Sequence, residues 1–171
     1  MNALLEDNRR ALRQGLDVVA ELDAELYGDP HSCRTGATIG AHFRHIIDHY
    51  TAFFAGLESG RVEYERRDRD VRIERDSDFA SSIARELMDQ LEGLEGCSDQ
   101  PLLLVCRAGA EAEHAEGFTD SSIKRELQFL LSHTVHHYAL IAAELRVRGR
   151  VVPPGFGVAP STLGYLRGKA A

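Results

Sequence analysis

"TDSSIKRELQFLLSHTVHHYALIAAELRVRG", Thr119 to Gly149, is the stretch whose reading decides the fold. Ile123, Leu127, Leu130, Leu131, Val135, Tyr138, Ile141 and Leu145 recur every three or four positions, the period of an amphipathic helix. Thr119 or Asp120 is a candidate N-cap and Gly149 a terminator. Within it, "LSHTVHHYALI" places three of the chain's eight histidines in five positions. Imidazole is polar and titrates near neutrality, so packing alone gives no reason to collect it there.

Working outward, the same period recurs three times. Ile39, Phe43, Ile46, Ile47, Tyr50, Phe53, Phe54 and Leu57 mark a helix from Thr38 to Leu57. Leu5, Leu12, Leu16, Val19, Leu22 and Leu26 mark another from Asn2 to Tyr27, stopped by "GDP". Phe79, Ile83, Leu87 and Leu91 mark a third from Ser77 to Leu94. The mixed-charge run "ESGRVEYERRDRDVRIERDSD" has no long apolar period and reads as a solvated loop. "PLLLVCRAGAEAEHAEGF", with an apolar Leu102–Val105 and an Ala-Gly-Ala turn, reads as a small hairpin or irregular connection. The tail carries a Pro-Gly break and one short helix after Ser161. Four long helices in a single domain, residues 1–171, predict an all-α fold, a four-helix bundle.

Composition sets bounds. With 43 % hydrophobic and 27 % charged residues, the chain can bury a core. Its net charge of −7 argues against a nucleic-acid partner. Arg66, Arg67, Arg69, Arg72 and Arg75 cluster, but acids interleave with them. The N-terminus has no apolar run of signal-peptide length, and no stretch approaches the roughly 18 apolar residues of a membrane helix. A cytoplasmic protein with no membrane partner is expected. Cys33, Cys97 and Cys106 are widely spaced and lack a CxxC pair, which argues against a disulfide framework or a cysteine zinc site.

Turning about 100° per residue places His133 and His137 on one edge of the Ile123–Leu145 apolar stripe, one turn apart. His136 falls almost opposite that stripe, facing water. Side chains at i and i+4 project from one helix face, so two imidazoles there can reach one metal ion. On the second helix His42, His45 and His49 form a strip beside its apolar stripe. Two histidine edges that face each other would bring three or more imidazoles together. Periodicity sets His42 and His49 nearer the apolar face than His45. A single histidine beside a core is more often an ordinary hydrogen-bonded side chain than a ligand, and it is the doubling of the pattern that favours a metal site.

"IGAHFRHIIDHY" and "LSHTVHHYALI" resemble the DinB-like superfamily of metal-binding four-helix bundles over most of the chain. The resemblance implies His45, His133 and His137 as ligands of a divalent metal, zinc or nickel, with His49 as the alternative on the second helix. It also implies a transferase acting with a low-molecular-weight thiol such as bacillithiol or mycothiol, or a hydrolase or isomerase, and pairing into a homodimer. Relatives often continue after the last ligand with Arg-Gly-Gln, where this chain has Tyr138, Ala139 and Leu140.

Three neutral histidines leave a metal with an open position, and an ion there lowers the pKa of a bound water or thiol. The expectation is therefore a histidine triad that activates a thiol or water. Asp48 and His49 are candidate partners that would orient a ligand imidazole; no catalytic residue is assigned. The rival expectation is a non-catalytic, stress-associated bundle that binds a metal or a partner.

Overall fold

The structure, a computed structural model, describes residues 1–31, 33–107 and 116–169. Four long helices carry the core: α1 (Asn2–Val19), α3 (Ile39–Ser59), α5 (Ser77–Gly93) and α6 (Ile123–Val147). Short helices α2 (Ala24–Gly28), α4 (Val71–Arg75) and α7 (Pro160–Lys169) join or follow them. The all-α four-helix bundle expected from periodicity is corrected by a three-stranded mixed sheet: β1 (Arg61–Val62), β2 (Pro101–Arg107) and β3 (Glu116–Ser122). β1 lies parallel to β2 and β3 antiparallel to it. The physical reason is that β1 pairs with β2 across a long sequence distance, which helical periodicity does not register.

The helix ends follow from local chemistry. The Thr38 hydroxyl accepts the Ala41 N–H at 2.9 Å and starts α3, which stops at Gly60 with φ 69°. Asp76 accepts the N–H groups of Asp78 and Phe79 at the start of α5. The first helix does not run on to Tyr27, because Asp23 accepts the Leu26 N–H at 2.8 Å and caps a new helix. The last long helix does not start at Thr119 or Asp120. Those residues pair in β3, and Ser122, the last of that strand, is the N-cap of α6. α6 ends as a Schellman turn: the Arg150 N–H reaches the Leu145 carbonyl at 2.8 Å, and the Gly149 N–H reaches Arg146 at 3.0 Å. The Ala-Gly-Ala turn, residues 108–110, lies outside the described residues.

The four long helices close around one core, with α1 and α3 each packed against both α5 and α6. Leu5, Leu12, Phe43, Ile46, Tyr50, Phe53, Leu91, Leu127 and Leu130 are fully buried there. Its polar atoms are answered. The Tyr50 hydroxyl donates to Asn8 Oδ1 at 2.7 Å, Asn8 Nδ2 donates to the Leu127 carbonyl at 3.1 Å, and the Tyr138 hydroxyl donates to the Ala11 carbonyl at 2.9 Å. These bonds tie α1, α3 and α6 together where unanswered groups would cost stability. No helix among the described residues is long and apolar enough to cross a membrane.

Candidate functional site

The seam between α3 and α6 brings two histidine edges face to face. His45 lies 4.9 Å from His133 and 4.6 Å from His137 between ring centroids, and His49 lies 4.0 Å from His133. One nitrogen from each of His45, His49 and His133 falls within 4.8 Å of the other two. His137 stands 4.6 Å from His133, ring to ring, and its Nδ1 meets His42 Nδ1 at 3.0 Å. The cluster thus gathers His45, His133, His137, His49 and His42. His136 is exposed, with its ring 5.3 Å from that of His137.

Aromatic rings wall the cluster. Tyr64 stacks on His49 at 5.3 Å and Phe129 on His133 at 5.5 Å. The Tyr64 hydroxyl donates to the fully buried Glu126 at 2.8 Å, and Ser121 and Arg125 supply further donors to that carboxylate. Tyr64 and Glu126 were not legible as site residues, since one lies in the mixed-charge run and the other among the polar positions of the last long helix.

Hydrogen bonds fix some of the protons. His49 Nδ1 lies 2.7 Å from the His45 carbonyl oxygen, which can only accept, so Nδ1 carries the hydrogen and Nε2 the lone pair. Arg67 Nη1 lies 2.8 Å from that Nε2 and 3.1 Å from Nδ1, so it sits against the ring with Nε2 as its acceptor. Asp48 does not reach an imidazole among the described contacts. It pairs with Arg44 at 3.5 Å, so the orienting role expected of it falls to the His45 carbonyl. His133 Nδ1 is buried and has no hydrogen-bond partner.

Burial and crowding keep these rings neutral. Burial first, then the Arg67 and Arg44 charges, pushes His45 down to about 4. Burial lowers His49 to about 4 against the opposing bond to the His45 carbonyl. Burial, then the neighbouring imidazoles, lowers His133 and His137 to about 3. His42 is lowered as well, chiefly by burial. At neutral pH the seam therefore offers imidazole lone pairs and no histidine charge. Neutral nitrogen donors in this number suit borderline divalent ions such as zinc or nickel, and the unpartnered His133 Nδ1 is a buried polar atom that a ligand would satisfy. The donor set fits such an ion.

Arg67 is a further residue at the cluster that sequence reasoning does not single out. Nothing periodic in its mixed-charge run points one arginine of several toward the imidazoles.

A stretch of 107 residues is 36 % identical to FK506-binding protein 5 of Rhizopus delemar, covering 62 % of this chain and 28 % of that protein. No protein-family model matches the chain, and no solved structure matches it. The DinB-like family read from the two histidine motifs is corrected by this match, as is the thiol transferase or hydrolase activity that came with it. Histidines spaced by three or four positions are a local helix pattern, and a local pattern does not identify a family.

Proposed function

We propose that this chain is a binding domain whose working site is the histidine cluster and whose ligand there is one divalent transition-metal ion, zinc or nickel. The observation that carries this reading is the convergence of His45, His49 and His133, with donor nitrogens within 4.8 Å of one another, together with the buried, unpartnered His133 Nδ1. His45 and His133 supply two ligands. His49 supplies the third through Nε2 once Arg67 moves off it, and His137 is the next ligand in line. The ion when bound supplies a Lewis-acidic centre at the seam. The chain's own part is to hold neutral imidazoles in a dry wall of Tyr64 and Phe129, with the His45 carbonyl fixing the tautomer of His49. Calorimetric titration of metal-free protein with zinc and with nickel tests it. About one ion per chain, lost in His133→Ala, is expected. Binding that survives the combined change His45→Ala, His49→Ala, His133→Ala, His137→Ala would place the ion elsewhere.

A second reading rests on a different observation. The relative found is named for FK506 binding, so FK506 is a candidate ligand for this chain too. The matched stretch is 28 % of that protein, so the test is direct titration of this chain alone with FK506. A saturable complex supports the reading; none up to the solubility limit removes it.

A further inference from the structure

The loop between β1 and α4 delivers Arg67 to the imidazoles, while the carboxylates near it are paired with other arginines. Asp48 is answered by Arg44 at 3.5 Å, and Asp70 by Arg72 at 2.6 Å. Glu74 is answered by Arg44 at 3.1 Å. Arg67 makes no ion pair within 4 Å among the described residues, and Asp48 and Glu65 act on it only from farther off. Its Nη1 lies against the two ring nitrogens of the neutral His49, and its Nε is buried with no hydrogen-bond partner. A guanidinium presents paired N–H donors in a plane, a geometry that matches the two oxygens of a carboxylate or phosphate far better than one imidazole lone pair.

We propose that Arg67 anchors an oxyanion, the carboxylate or phosphate of a small ligand, which binds beside the metal ion as its co-ligand. This rests on the reading of the histidine cluster as a metal site. When the ion takes His49 Nε2, Arg67 loses its acceptor there and stands as a cation next to a divalent cation. An oxyanion shared between them relieves that repulsion and fills the donors that Arg67 leaves unused. The ion and the oxyanion then strengthen each other's binding, and the strengthening is reciprocal.

The test uses Co²⁺ as the metal, acetate and methyl phosphate as the oxyanions, and perchlorate to hold ionic strength. Co²⁺ affinity is measured by calorimetry and the bound ion by its visible absorption, in the wild-type chain and in Arg67→Met. In the wild type, either oxyanion should raise Co²⁺ affinity about tenfold, inside the ~5- to 150-fold span of ordinary coupling, and should shift the absorption bands. In Arg67→Met, Co²⁺ should bind more tightly without oxyanion, because a competing donor and a charge are gone, and the oxyanion gain should fall to nearly one. Co²⁺ binding by the variant also shows that its cluster is folded. A gain with acetate alone assigns the carboxylate, and a gain with methyl phosphate alone assigns the phosphate. Co²⁺ binding with no gain, or with the same gain in the variant, overturns this proposal and leaves the metal reading standing. No Co²⁺ binding overturns both.

Discussion

His42 and His137 meet through their Nδ1 atoms at 3.0 Å, so one ring donates and the other accepts, and His137 has only Nε2 left to face His45 and His133. His49 is constrained in the same way, with Nδ1 spent on the His45 carbonyl and Nε2 left over. On the proposed metal reading, the two rings compete to complete a ligand set begun by His45 and His133. Replacing His133 should therefore remove metal binding. His49→Ala and His137→Ala should each weaken it by less, because the other ring remains. His136→Ala should leave it intact. Zinc titrations of the four variants check this order.

A bound ion should stabilise the fold by mass action. At zinc about 100-fold above its dissociation constant, unfolding free energy should rise by about 2.7 kcal/mol. The rise should vanish with a chelator and be missing in His133→Ala. Thermal unfolding with and without zinc is the measurement. An unchanged midpoint in the wild type would count against the site.

Without metal, acid should destabilise the chain at an unusually high pH. His45, His49, His133 and His137 are held at about 3 to 4, whereas the unfolded rings titrate near 6.5. The unfolded chain therefore binds more protons below pH 6.5. Stability is full above that value and drains away as pH falls toward 4. The urea midpoint of metal-free protein should drop between pH 7 and pH 5, above the main carboxylate range. It should drop less in His133→Gln, which has one ring fewer to protonate.

Tyr64 offers a separation of wall from network. Tyr64→Phe keeps the ring that stacks on His49 but removes the hydroxyl donor from the buried Glu126. It should cost about 1–3 kcal/mol of stability while zinc affinity stays near the wild-type value. Tyr64→Ala removes the ring and should lower zinc affinity as well. Urea unfolding and zinc titration of the two variants distinguish the roles.

Gly15 sits where α1 crosses α6. A methyl group added there would run into the Tyr138 hydroxyl and the Phe43 ring. Gly15→Ala should destabilise by about 1–3 kcal/mol, the usual cost of overpacking. Urea unfolding measures it, and an unchanged midpoint would mean that Tyr138 can turn aside.

Legibility followed locality. The histidine edges of α3 and α6 could be read because side-chain direction along a helix repeats within a few residues. The sheet was legible only as a small hairpin or irregular connection over residues 101–118, and its third strand was not. β1 is two residues long and exists because Arg61 and Val62 lie beside Leu103 and Leu104, far along the chain. "EGFTDSS", with Gly, Asp and Ser, is a poor strand by composition and becomes one only by pairing with Pro101–Arg107. Arg67 follows β1, so its arrival at His49 inherits that same long-range pairing. Within α3, helical angle set His42 and His49 closer to the core than His45, and His49 is indeed buried while His42 and His45 are half-buried. What angle could not give was the Arg67 bond on its Nε2.

The sheet works as a ruler for the two histidine ladders. β1 follows α3 after one residue, Gly60, whose carbonyl accepts the Leu103 N–H at 2.8 Å. At the other end β3 passes straight into α6, with Ser122 belonging to both the strand pair and the cap. No slack segment separates either helix from the strands. A slip of the hairpin by one pair would therefore slide the rungs of α6 along those of α3, and His133 would no longer stand level with His45 and His49. The axial alignment of imidazoles on two helices is thus set by backbone hydrogen bonds in strands that hold no histidine of the cluster.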